Sequence, residues 1–337
     1  MADTITRRRA ICIIAAAAGL PLVPFAGTAS AAADPVVWKG QALGAPATLI
    51  LIQPDRAKAE ALIVRVVAEV ERLEAVFSLY RDNSALAELN RLGALAAPPE
   101  DLVVLLEACH GAWKAASGAF DPSVQPLWSL YARHFSSETA DPTGPSPQHL
   151  EKTRSLVDFG SVRFNRERIV FVKPGMALTL NGIAQGYITD RIVDLLRSEG
   201  ITSSLVSMGE SRAIGAKRDG SPWRIGLGET ENATVPDAVA AIIDRAVATS
   251  SDSGFHFDAA GRFGHLLSPR QGSLPPKYRR MTVIAPDATT ADAYSTAFSL
   301  LEPDSIRAIA DRMPEISVDL VMSSGERMQL GRSVETR

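Results

Sequence analysis

Cysteine is nearly absent from this 337-residue chain, with only Cys12 and Cys109 present. There is no Cys-x-x-Cys pair and no His-Glu-x-x-His segment, which argues against a zinc site. An excess of positive charge is also missing. The net charge is −3 at pH 7, so there is no basic footprint for nucleic acid, and nucleic acid is not an expected partner. No internal repeat at solenoid periods is visible. The composition is not that of a disordered chain either, since 46% of residues are apolar and 22% charged. The length suits one large domain or two small ones.

The first recognisable segment is an address. Thr6-Arg7-Arg8-Arg9-Ala10-Ile11 is followed by an apolar run from Cys12 to Ala18 and an alanine-rich stretch to Ala33. A basic start, a short apolar centre and small residues at the end make a secretory signal. The adjacent arginines and the mild apolar core give it twin-arginine character. Ala29-Ser30-Ala31 and Ala31-Ala32-Ala33 are both candidate cleavage sites. The other reading, a transmembrane anchor, meets an apolar run too short to span easily. Arg9-Ala10-Ile11 before Cys12 is not a lipid-attachment box. The sequence thus predicts a signal peptide over 1–33 and a soluble, exported, periplasmic domain over 34–337. Removing the signal takes away Asp3 and three arginines, leaving a charge of −5. Cys109 then stands alone, so no internal disulfide is possible. It lies in the helical pattern Leu102, Leu105, Leu106, Cys109, Trp113 and reads as a buried structural thiol.

Along the remaining chain, Val36–Trp38 and Thr48–Ile52 read as strands around Gly44 to Pro46. Leu62, Val66, Val70, Leu73 and Phe77 mark one face of a long helix from Asp55. Further helices are expected over 84–91, with Ser84 as N-cap, and over 99–117, stopping at Gly118. Residues 136–149 read as a surface loop. Strands are expected near Val157 and over 169–172, 177–180, 204–208, 223–227, 238–243, 281–285, 316–322 and 327–330. Two more helices are expected, over 184–199 and from Thr290 past Leu301. This mixed order, without regular βα alternation, predicts an α+β fold.

The segment Asn181-Gly182-Ile183-Ala184-Gln185-Gly186-Tyr187 carries the most information. It turns from an apolar run into a helix, with glycines on both sides of Ala184. Such a corner lets a backbone approach a phosphate or a metal, and the helix N-terminus favours an anion. A purely structural corner is equally compatible with it. In Thr289 to Ala297, Asp292 and Thr296 are four residues apart and share a helix face. A carboxylate and a hydroxyl so placed can share a hard cation such as Mg²⁺; the alternative is that Asp292 caps the helix. Three further segments look unlike packing: Phe77 to Ser84, Gly118 to Pro122, and Ser250 to Ser253 leading to Phe263–Gly272. Pro122 forces Asp121 out of helical geometry. His265, beside Pro269-Arg270, is either functional or a hydrogen-bonded loop residue.

Taken together, these segments resemble the ApbE family of FAD:protein FMN transferases. The pattern F-S-x-Y…S-x-L-x-x-L-N is met by Phe77 to Tyr80, Ser84, Leu86, Leu89 and Asn90. G-x-F-D-P-(S/T)-V-x-P-L is met fully by Gly118 to Leu127. G-G-I-A-K-G-Y-x-x-D corresponds to Asn181 to Asp190, A-V-A-T-S-G-D to Ala246 to Asp252, and S-H-I-x-D-P-R-T-G to Gly264 to Gly272. A-D-A-x-x-T-A lies at Ala291 to Ala297. The match runs from Leu73 to Glu302 with the motifs in family order.

The resemblance implies a compact, T-fold-like domain with FAD in a cleft and Mg²⁺ as cofactor. Asp292 and Thr296, with the Ala184 carbonyl, would hold the metal. Tyr80 and the turn Ala119, Phe120, Asp121 would contact the flavin and ribityl part. Asn181, Gly182 and Gln185 would meet the phosphates. His265 would accept the acceptor's hydroxyl proton or orient a neighbour, and Asp292 and His265 are the catalytic candidates. The reaction implied is transfer of FMN from FAD to a threonine or serine of an exported flavoprotein, with release of AMP. By analogy, the acceptor would be a membrane electron-transfer protein, as in nitrous oxide respiration. FAD pyrophosphatase activity and a flavin carrier without turnover are the alternatives. Four departures stand out. Asn181 replaces a glycine and would tolerate positive φ. Gln185 replaces a common lysine, Glu210 stands where a glycine is frequent, and Ser268 replaces an aspartate before Pro269.

Overall fold

The computed structural model describes residues 34–228 and 236–331; the signal-peptide reading of 1–33 lies outside the described residues. Strands β1 (Val36–Ala42) and β2 (Ala45–Leu51) form a hairpin. Its two turn residues, Leu43 and Gly44, both have positive φ (49° and 85°), which matches the strand twist. Helix α1 (Arg56–Phe77) opens on Asp55, which accepts the Lys58 N–H, and buries Leu62, Val66, Val70, Leu73 and Phe77. That is the face expected from the spacing. Helix α2 (Ala85–Leu92) is capped by Ser84 and closed by Gly93 at φ 73°. After β3 (Ala94–Ala96), helix α3 (Glu100–Ala115) carries the buried Cys109. Then follow α4 (Gln125–Phe135), α5 (Pro147–Arg154), β4 (Val162–Phe164), β5 (Arg168–Phe171) and α6 (Ala184–Ser198). Next are β6 (Ser204–Ser207), β7 (Ser211–Ile214), β8 (Trp223–Leu227), β9 (Ala238–Ile242) and β10 (Ala246–Ser251). The chain continues through β11 (Leu267–Ser268), β12 (Gly272–Ser273) and β13 (Tyr278–Ala285). It closes with α7 (Ala288–Phe298), α8 (Pro303–Ala310), β14 (Ser317–Met322) and β15 (Arg327–Gly331).

Eight strands form one antiparallel sheet in the order β1-β2-β6-β7-β10-β13-β14-β15. Its side chains alternate with period two. Leu49, Leu51, Val206 and Val283 pack with the helices α1, α3, α6 and α7. Leu205, Val247 and Ile284 pack on the opposite face under the β8–β9 hairpin. A smaller cluster joins Leu127 and Tyr131 of α4 to Phe257 and Leu267. Helices on one face of an antiparallel sheet and a hairpin on the other make an α+β fold.

Several expectations are corrected. Residues 177–180 form no strand. The Asn90 side chain accepts the Leu178 N–H and donates to its carbonyl (2.7 and 2.8 Å), while Thr179 N–H donates to Pro122. A side chain here replaces a neighbouring strand. Val157 lies in a turn bonded to Arg154, and the strand comes later, at β4. The 136–149 loop ends early because Ser146 caps α5. The helix expected from Thr290 past Leu301 begins at Ala288, ends at Phe298 and is followed by a separate helix, α8. Ser250 and Ser251 belong to β10 rather than to a loop. Asn181 is not among the residues at positive φ.

Candidate active site

The site is built where α7 crosses the start of α6. A Cβ at Gly186 would lie 2.2 Å from the Ala288 carbonyl oxygen, so only glycine permits this crossing. Asp190 of α6 then fixes the first turn of α7. Its carboxylate accepts from Ala288 N (2.8 Å), Thr289 N (2.8 Å) and Thr289 Oγ1 (2.5 Å), and pairs with Arg212 Nη1 at 2.6 Å. The helix cap itself is Asp287, which accepts the Thr290 N–H at 2.7 Å. Asp292 is therefore not the cap; it sits one turn further in.

Asp292 is 4% exposed, and its Oδ2 accepts the Gly186 N–H at 2.9 Å. Its carboxyl is pushed up to about 7, first by burial and also by the Asp190 charge. Among the described residues no lysine or arginine pairs with Asp292. Thr296 lies on the same helix face, close against Gly182, where a Cβ would come within 2.8 Å of its Oγ1. No hydrogen bond of the Thr296 hydroxyl or of Asp292 Oδ1 is made within the described residues. A buried carboxylate without a counter-ion, beside an unpartnered hydroxyl, is an oxygen donor set that fits a hard divalent cation.

These groups face an open cleft. Asn181, Gly182 and Gln185 line it from the α6 corner, and Ala119, Phe120 and Asp121 from the turn after α3. Ala184 is buried and does not line the wall. Asp121 takes the extended backbone that Pro122 imposes (φ −140°). Its Oδ1 accepts from Ser123 N and Oγ, and its Oδ2 from Phe159 N. Asp121 thus organises the turn and offers little free carboxylate to a ligand. Tyr80 lies in an adjoining recess that shares Trp128 and Asn181 with the cleft. It lies beside Asn181, and 48% of the residue is exposed, leaving ring surface free to stack.

His265 lines the same cleft. Its Nδ1 lies 3.0 Å from the Phe255 carbonyl, which can only accept, so Nδ1 carries the proton and Nε2 is left as an acceptor. Burial lowers its pKa below the usual histidine value, so the ring is neutral near pH 7.

Sequence reasoning undervalued two residues. Asp190 shows as a lone charge on the apolar face of α6. Glu210, read only as a departure, is 6% exposed and lines the cleft, its carboxyl raised well above the usual range by burial and then by Asp292. The position follows from sheet topology. β7 pairs with β10 only at Ala246/Arg212 and Val247/Ser211. Beyond that point Glu210, Thr249 and Ser250 line the cleft.

The model for the ApbE family matches residues 43–319. A Klebsiella pneumoniae (strain 342) protein named FAD:protein FMN transferase is 26% identical over 319 residues, covering 92% of this chain and 90% of its own. The apo crystal structure of Pseudomonas stutzeri flavinyl transferase ApbE is similar with a TM-score of 0.73 at 26% identity, covering 88% of this chain and 95% of that one. The flavin transferase ApbE from Vibrio cholerae shares the fold with a TM-score of 0.76 at 23% identity, over 89% and 97% of the two chains.

Proposed function

The chain belongs to the ApbE family, and on that premise we propose that it is an FAD:protein FMN transferase acting on a threonine or serine hydroxyl of an acceptor protein. The observation that carries this reading is the convergence in one cleft of the Asp292–Thr296 pair and the neutral His265. In the reaction, a bond forms between the acceptor oxygen and the FMN phosphorus. The pyrophosphate P–O bond breaks and AMP leaves. The acceptor's hydroxyl proton passes to Nε2 of His265, the nitrogen left free by the Nδ1–H bond to Phe255. Tyr80 supplies a stacking face for the flavin, with Asn181 beside it in the same recess. Gly182 keeps the wall beside Thr296 free of a side chain. Mg²⁺, held by Asp292 and Thr296, would neutralise the charge on the pyrophosphate.

The arginine-rich start, Arg7 to Arg9 with its apolar run, supports export by the twin-arginine route to the periplasm. The acceptors are then exported domains of membrane electron-transfer flavoproteins. Among the described residues, no helix is long and apolar enough to cross a membrane.

The test combines residues 34–337, FAD, Mg²⁺ and a threonine-containing acceptor domain, read by intact mass and AMP release. An acceptor mass gain equal to FMN, lost with EDTA and in Asp292→Ala, is the expected result. FMN and AMP without acceptor labelling would instead identify a hydrolase. FAD binding without any AMP would refute turnover.

A further inference from the structure

Glu210 is a carboxylate of the cleft to which the transfer reaction assigns no task. It sits in the three-residue turn between β6 and β7, and that turn is held rigidly. Gly209 is at φ 106°, a conformation that favours glycine. The Thr189 hydroxyl donates to the Glu210 carbonyl at 2.9 Å and accepts from Met208 N–H at 3.3 Å. The Glu210 carboxylate lines the same cleft as Asp292, close enough that the charge of one opposes ionisation of the other. Among the described residues neither carboxylate has a lysine or arginine partner.

A second, independent feature lies beside them. Gln185 is 6% exposed, lines the cleft and packs against Gly209, yet its Nε2 has no hydrogen-bond partner among the described residues. A buried amide without a partner is both costly and rare in folded proteins. Its oxygen and nitrogen can exchange places by a flip. It can therefore turn a carbonyl towards a cation, or an NH₂ towards an oxygen bound to one.

We propose that Glu210 is a ligand of the divalent cation in this cleft, so that Asp292 and Glu210 together hold the ion before any nucleotide arrives. The proposal rests on the cation reading given above and deepens it. Two carboxylates balance the charge of a divalent ion without help from a pyrophosphate. An all-oxygen donor set selects Mg²⁺ or Mn²⁺ over softer metals. Gln185, in place of a lysine, leaves that balance undisturbed.

The experiment titrates Mn²⁺ into the mature protein without nucleotide and reads free Mn²⁺ by electron paramagnetic resonance, with Mg²⁺ as competitor. The parent should bind Mn²⁺, and Glu210→Gln should weaken binding at least about tenfold, the lower range for loss of a group supporting a metal. Asp292→Asn should do the same. Glutamine keeps the size of the side chain. Glu210→Gly, at a position outside the left-handed region, is the second variant with the same expectation. If the Glu210 variants bind as the parent does while Asp292→Asn does not, the proposal is overturned and the cation reading stands. A parent that binds Mn²⁺ only when FAD is added also overturns it. A parent that binds none even with FAD overturns both.

Discussion

Asp292 makes the metal-free protein pay for its own active site, and the cost is measurable. In the folded chain its carboxyl is pushed up from 3.8 to about 7, chiefly by burial. Each tenfold change in proton affinity corresponds to about 1.4 kcal/mol, so the ionised form is disfavoured by up to about 4 kcal/mol. Because the folded value is the raised one, the folded state holds this proton more tightly than the unfolded state. Its contribution is favourable in full below about pH 4 and is lost as pH rises towards and through about 7. At pH 8, without metal, the whole penalty is present, and Glu210, raised for the same reason, adds to it. Asp292→Asn removes the charge while its amide oxygen still accepts the Gly186 N–H. In EDTA, urea unfolding should find the variant more stable than the parent by about 2 kcal/mol at pH 5, and by up to about 4 kcal/mol at pH 8. The readout is the difference between variant and parent, since other groups shape the absolute curve. Mg²⁺ at one hundred times the parent's Kd should narrow that difference at pH 8 by about 2.7 kcal/mol, because only the parent binds it. A variant–parent difference identical at pH 5 and pH 8 would refute the reasoning.

Gly186→Ala sets a Cβ 2.2 Å from a backbone oxygen that cannot rotate away; a loss of about 1–3 kcal/mol is expected by thermal unfolding. Gly182→Ala meets only the Thr296 side chain, at 2.8 Å, so it should cost less stability and act mainly on cation affinity, measured by calorimetry. His265→Asn should lower the rate of AMP release by about 10²- to 10⁴-fold. The parent's rate should stay level above pH 6.5 and fall only below it, because burial lowers the histidine pKa. Tyr80→Ala, at a half-exposed position, should raise KM for FAD while stability stays within about 0.5 kcal/mol.

Elements with a strong period and clear ends are legible in the sequence. α1 carries both its apolar stripe and its Asp55 cap, and α2 is framed by Ser84 and Gly93. What escapes is structure set by distant partners. β7 and β10 are short and flanked by turns, and they become strands only through their places in the sheet. The 177–180 segment has a strand's composition, but Asn90 takes the bonds a neighbouring strand would supply. In the site, the four-residue spacing of Asp292 and Thr296 can be read directly, because a helix fixes it. Asp190 and Glu210 cannot, since their roles arise where α6, α7 and the β6–β7 turn meet. The glycines beside Ala184 suggest access for a phosphate; Gly186 in fact admits a second helix.

The two walls of the cleft belong to different packing units. Asp292 and Thr296 ride on α7, whose apolar residues are part of the main core. His265 rides on a segment resting on the small aromatic cluster, where Phe257 stacks on Tyr131 at 5.6 Å and meets Trp128 at 5.3 Å. The cleft is thus a seam between a large cooperative unit and a small one. Parting it breaks the contacts of a few rings and leaves the sheet intact. Opening it should cost less than global unfolding, and amide exchange should rank the 255–267 backbone ahead of α6 and α7. On the proposed reading, an acceptor would then be admitted by local breathing of one wall, while the wall that holds the charges stays in register.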